Sequence, residues 1–139
     1  MLGVNNTENF NHYKNVYQST DIAFAIVNSV DGYDEISLTS DTKVATRNRE
    51  YLLSTGELGM DKIEPDKIFG GNTIDAAARI FTDILKGNGT PEQNNVVIAN
   101  AAVALKLVYQ AKTLKECVEI ARESLQSGKA LEKLKAVIN

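Results

Sequence analysis

The apolar run Ile22-Ala23-Phe24-Ala25-Ile26-Val27 has no polar residue in alternation. A strand with one solvated face alternates, so this run predicts a strand from Ile22 to Val27 that is buried on both faces, in a sheet with helices on each side. Upstream, Asn6 or Thr7 can cap a helix by accepting from free backbone N–H groups, and Glu8 suits its first turn. Phe10, Tyr13 and Tyr17 recur at three and four, marking one face of a helix that ends near Gln18. Met1-Leu2-Gly3-Val4 reads as a strand entered midway, without a polar lead-in. Strand, helix and strand in this order predict a βαβ unit, with a parallel pair and a right-handed crossover.

An acidic turn follows, Val30-Asp31-Gly32-Tyr33-Asp34-Glu35, and then Ile36-Ser37-Leu38-Thr39. Ligands of open α/β sheets bind outside the carboxyl ends of the strands. Adjacent carboxylates at such a place suit Mg²⁺, which takes one or two carboxylates, keeps several waters and reaches its substrate through phosphates. A solvated acidic turn is the plainer account of the same residues. Glu35 to Thr39, Lys43 to Thr46 and Glu50 to Leu53 read as short, partly polar strands, an antiparallel extension of the sheet. Gly56, Gly59, Pro65, Gly70 and Gly71 punctuate a long loop, expected to pack over the sheet or over the edge of a site.

From Asn72 onward the pattern is helical. Asn72 or Thr73 caps a helix with Ile74, Ala77, Phe81, Ile84 and Leu85 on one face, closed by Gly87-Asn88-Gly89. Thr90-Pro91-Glu92-Gln93 is a capping box with proline at the first helical position. Its helix runs from Val96 to Val108 with only Asn100 and Lys106 polar, which predicts burial nearly all round. Asn100 then needs a hydrogen-bond partner, expected in neighbouring backbone. Thr113-Leu114-Lys115-Glu116 opens another helix, through Leu114, Cys117, Val118, Ala121 and Leu125. A last short helix after Ser127-Gly128 points Ala130, Leu131, Leu134 and Val137 inward.

Composition narrows the function classes. The 139 residues fit one domain, and a net charge of −3 leaves no basic footprint for nucleic acid. No apolar stretch reaches the roughly 18–20 residues of a membrane span. The first residues lack the basic and apolar regions of a signal peptide. One cysteine, Cys117, excludes an internal disulfide and fits a reducing cytoplasm. His12 has no acid or nucleophile at useful spacing, and Cys117 lies on an apolar helix face as a small core residue. One histidine and one cysteine leave zinc without its usual ligand set.

The string D-G-Y-D-E-I-S-L-T from Asp31 resembles the D-G-x-D-E-I signature of the anthranilate phosphoribosyltransferases. Gly70-Gly71 before a helix, Asn100-Ala101-Ala102-Val103-Ala104-Leu105 within one and Ser127-Gly128-Lys129-Ala130-Leu131-Glu132-Lys133-Leu134 near the end match that family in order. The resemblance covers nearly all of these residues but only the later part of the family's polypeptide. It implies an α/β domain fragment spanning 1–139, with a mixed sheet, flanking helices and a helical C-terminal half. It also implies transfer of the phosphoribosyl group of phosphoribosyl pyrophosphate to anthranilate, in tryptophan biosynthesis, by an enzyme that is a homodimer when whole. Asp34 and Glu35 would hold the Mg²⁺ that bridges to pyrophosphate, while Asp31 matches the pattern and shapes the turn. Tyr33 stands where the family more often has an aliphatic residue.

Other parts of the family pattern are not found in these residues: the N-terminal helical domain, the glycine-rich G-T-G-G-D phosphate loop with its lysine, serine and asparagine contacts, and the arginine that holds anthranilate. The expectation is therefore a truncated chain, inactive by itself. Gly70-Gly71-Asn72 lacks a lysine or serine at P-loop spacing and is read as helix entry or close packing. Arg47 and Arg49 can face a phosphate from a strand but are read as solvated. A nucleoside phosphorylase relative and a non-catalytic interaction module are the alternative readings.

Overall fold

The computed structural model describes residues 1–138. Four strands make one sheet in the order β1-β2-β3-β4: β1 (Leu2–Gly3), β2 (Ala25–Ser29), β3 (Thr42–Thr46) and β4 (Glu50–Leu53). β1 and β2 are parallel, joined through helix α1 (Thr7–Gln18), so the expected βαβ unit is present. β3 and β4 extend the sheet antiparallel, Val27 facing Val44 and Val44 facing Tyr51. The mixed α/β fold with a helical C-terminal half is as the sequence predicts.

Every residue of β2 is buried, because each face is covered by a different layer. Ile26 and Ala45 point to one side, where they pack with Val4, Phe10 and Phe24 beneath α1. Ala25, Val27 and Val44 point to the other, into the larger core made with Ile98, Ala99, Ala102 and Val103 of α3 (Pro91–Val108) and Cys117, Val118, Ala121 and Leu125 of α4 (Leu114–Gln126). Helices α2 (Ile74–Leu85) and α5 (Lys129–Ile138) complete the chain. Side chains set the helix starts: Asn6, Thr73, Thr90 and Thr113 each accept a hydrogen bond from a backbone N–H of the first turn. Among the described residues no helix is long and apolar enough to cross a membrane.

The structure corrects several expectations. β2 starts at Ala25 rather than Ile22, which is 60% exposed in the connector before it. Residues 35–39 form no strand; they are irregular, exposed at Glu35 and buried from Ile36 to Thr39. In α1, Phe10 is buried and Tyr17 half-buried against Phe24, whereas Tyr13 stays exposed. In α2, Ile84 and Leu85 are buried, but Ala77, Ile74 and Phe81 on the same apolar stripe are exposed. Val137 is exposed as well, and α3 buries one face only, with Val97 and Val108 open to solvent. Periodicity marks an apolar face without saying what covers it.

Candidate functional site

The acidic turn lies at the carboxyl end of β2, beside the end of its parallel neighbour β1. Asp31 builds the turn. Its carboxylate accepts from the Thr39 hydroxyl at 2.5 Å and from the Ser40 hydroxyl at 2.8 Å, and its own N–H donates to Ser40 Oγ. Gly32 takes φ +98°, the left-handed region open to glycine at little cost. The Gly32 N–H donates to Ser29 O, and the Ser29 N–H donates to Tyr33 O, which folds the turn back on the strand that launched it.

Beneath the turn runs a buried chain of hydroxyls. Ser37 Oγ and Thr39 Oγ1 stand 2.7 Å apart, Ser37 donates to Ser29 Oγ at 3.2 Å, and Ser29 Oγ is 3.1 Å from Thr42 Oγ1. Through Thr39 the chain reaches the Asp31 carboxylate, so a charged acceptor ends it at the surface. Ser29 Oγ also donates to the Glu35 carbonyl at 2.6 Å. Leu38, fully buried, has φ +62°, a costly conformation for a side chain of that size. Its carbonyl accepts from the Ile63 N–H, so the long loop expected to pack over the site does reach it, with Leu58 and Met60 in the core.

Asp34 and Glu35 are exposed, and among the described residues neither carboxylate takes a hydrogen bond or an ion pair from the protein. Their backbone is held closely all the same. A Cβ built on Gly3 of β1 would stand 1.6 Å from the Asp34 carbonyl oxygen, so only glycine lets the turn lie on the strand end. Asn100 reaches from α3 to the same place. Its Oδ1 accepts from the Ile36 N–H at 3.1 Å, and its Nδ2 donates to Ile36 O and to Val96 O, both at 2.9 Å. The sequence pointed Asn100 only at neighbouring backbone; Val96 is that neighbour, and Ile36 is not. A two-carboxylate donor set fits Mg²⁺, which fills its remaining positions with water or phosphate oxygen. No group of three or more metal-ligating side chains occurs among the described residues.

The remaining candidates have structural partners. Arg47 turns its guanidinium onto the carbonyls of Gln18, Thr20 and Ile22 at the exit of α1 and lies over the Phe24 ring at 5.9 Å. It is therefore committed to the backbone rather than merely solvated. Arg49 stacks over Tyr51 at 4.3 Å, lining with Arg47 and Lys106 an open cleft of about 530 Å³ at the opposite end of the sheet. Gly71 has φ +89°, and a Cβ there would lie 2.8 Å from Ala76 Cβ, in keeping with helix entry and close packing. Cys117 is buried and free, and His12 is exposed beside Tyr13.

Residues 1–131 match the model of the glycosyl transferase family, a/b domain. Over 138 residues the chain is 44% identical to the anthranilate phosphoribosyltransferase of Phocaeicola vulgatus, covering 99% of this chain and 42% of that one. The crystal structure of anthranilate phosphoribosyltransferase from Thermus thermophilus matches 98% of this chain and 41% of its own, at 26% identity and a TM-score of 0.85. The Saccharomyces cerevisiae enzyme, solved in complex with PRPP and Mg, matches 96% of this chain and 38% of its own at 24% identity and a TM-score of 0.81, a likeness of fold. The chain thus spans about 42% of the length of the curated relatives it matches.

Proposed function

The chain belongs to the glycosyl transferase family, a/b domain, and from that membership we propose that it supplies the metal-holding part of an anthranilate phosphoribosyltransferase site. The reaction is transfer of the phosphoribosyl group of phosphoribosyl pyrophosphate to the amine of anthranilate, a cytoplasmic step of tryptophan biosynthesis. The single observation that carries this reading is the pair Asp34 and Glu35: exposed, unpartnered among the described residues, and set on backbone that Gly3 and Asn100 hold in place. Support also comes from the S. cerevisiae relative, whose structure contains PRPP and Mg.

Asp34 and Glu35 would hold the Mg²⁺. Held there, the cation would supply positive charge against the negative charge of departing pyrophosphate. The protein's own task is binding and orientation, with the two carboxylates presented outward from a fixed turn. No acid–base residue is needed at this place; Cys117 is buried and His12 lies exposed on α1 beside Tyr13. The glycine-rich phosphate loop and the anthranilate arginine implied by the resemblance are not in these residues, so the site is composite and the chain alone does not turn over. The homodimer implied for the whole enzyme belongs to the same proposal.

Loss of anthranilate fluorescence, with Mg²⁺ and phosphoribosyl pyrophosphate present, tests this. The chain alone is expected to be silent. Mixed with the complementary part of a family member it is expected to turn over, and Asp34→Ala to abolish that turnover. Turnover by the chain alone would show that the phosphate site lies within these residues. Complemented turnover that survives Asp34→Ala would remove the metal role.

A further inference from the structure

We propose that Asn100 is a positioning residue for the Asp34–Glu35 pair, holding one of the two peptide units that aim Glu35; this rests on the metal reading above. Asparagine is a poor choice inside a helix, where its side chain competes with the backbone for hydrogen bonds. Asn100 nonetheless lies mid-way along α3, next to the buried Ala99 and Ala102. Its carboxamide is engaged at both ends, by Ile36 N–H at the oxygen and by two carbonyls at the nitrogen. A flipped amide would set like against like at all three contacts, so the partners determine the orientation.

The peptide between Glu35 and Ile36 is gripped at both of its polar atoms. Its carbonyl, that of Glu35, accepts from Ser29 Oγ at 2.6 Å, and its N–H, that of Ile36, donates to Asn100 Oδ1 at 3.1 Å. One grip comes from the end of β2 and the other from α3, so the plane is fixed between the sheet and the helical layer. The direction of the Glu35 side chain follows from that plane, as does the path into the buried Ile36 and the left-handed Leu38. Ile36 and Leu38 also pack in the core with Ile98 and Ala102 of α3, but among the described residues the hydrogen bonds that tie this irregular segment to α3 all come from Asn100. Groups that orient metal ligands in this way change metal affinity by about 10-fold or more when removed.

The test compares Asn100→Ala with Val103→Ala, a core truncation in the same helix that leaves the carboxamide in place. Mn²⁺ alone is titrated into each folded chain and free Mn²⁺ is read by electron paramagnetic resonance, beside the melting temperature and Ile36 amide exchange. Asn100→Ala is expected to weaken Mn²⁺ about 10-fold and to speed exchange at Ile36. Val103→Ala is expected to lower the melting temperature with affinity unchanged. Equal affinities for the two variants would overturn the positioning role while leaving the metal reading intact. Absence of saturable Mn²⁺ binding by the unaltered chain, or binding untouched by Asp34→Ala, would overturn both. Should Asn100→Ala fail to fold, Ser29→Ala releases the other atom of the same peptide. It is expected to weaken Mn²⁺ likewise, and unchanged affinity there would also overturn the proposal.

Discussion

At one end of the sheet Asp34 and Glu35 stand exposed on fixed backbone, while at the other Arg47 is bound to the carbonyls of Gln18, Thr20 and Ile22 and Arg49 is stacked on Tyr51. Both ends are charged, and the basic end opens on a cleft of about 530 Å³. They differ in what the charge is already doing. Arg47 terminates α1 and ties it to the β3–β4 turn, so its guanidinium is already engaged with three backbone carbonyls. The acidic turn uses Asp31 for that kind of work and leaves its two neighbours free. Charge left over after the fold is satisfied, on backbone that cannot drift, separates a candidate site from a structural one.

The comparison breaks most severely at Gly3. Gly3→Val drives a Cβ into the Asp34 carbonyl, 1.6 Å away on the present backbone. Overpacking of that kind costs about 3 kcal/mol and displaces the acidic turn. Urea unfolding should show the loss, and Mn²⁺ binding should disappear with it. Arg47→Ala comes next. It frees three carbonyls at the surface, is expected to cost about 1–2 kcal/mol and leaves metal binding unchanged. Weaker Mn²⁺ binding in that variant would show that the two ends are coupled.

A smaller effect appears on acidification, away from both ends. Glu116 has its carboxyl held below its usual value by the Thr113 backbone N–H and then by the Thr113 hydroxyl; Glu57 is held low by the same two groups of Ser54. A lowered folded value means that this stabilisation is present above the unfolded pKa of about 4.3 and is lost as pH falls through the folded one. Melting temperature measured from pH 6 to pH 3 should fall, and Glu116→Gln should make the fall shallower. Smallest of all, Asp34→Ala and Glu35→Ala should change stability by no more than about 0.5 kcal/mol, since neither carboxylate holds anything in the fold. A larger loss would mean that these charges are structural after all.

How far the sequence could be read depended on the range of each interaction. Helix starts at Asn6, Thr73, Thr90 and Thr113 are set by residues three positions apart and were legible. So were β3 and β4, and the burial of β2 on both faces. Residues 35–39 misled because Ile36, Leu38 and Thr39 have strand character. In the fold, Ile36 finds its partner in Asn100, 64 positions away, and Leu38 turns left-handed. Arg47 was opaque for the same reason, since its carbonyl partners lie 25 to 29 positions upstream. Of the site, the adjacent carboxylates were visible as a motif. Gly3, Ser29 and Asn100, which fix their backbone, carried no local signal for that task.

The most direct measurement is a Mn²⁺ titration of the chain beside Asp34→Ala and Arg47→Ala, read by the free Mn²⁺ signal and repeated with Mg²⁺ as competitor. Saturable binding that Mg²⁺ displaces, lost in Asp34→Ala and kept in Arg47→Ala, is the predicted result. Binding that persists in Asp34→Ala would contradict the account, because the acidic turn would then not be where the cation is held.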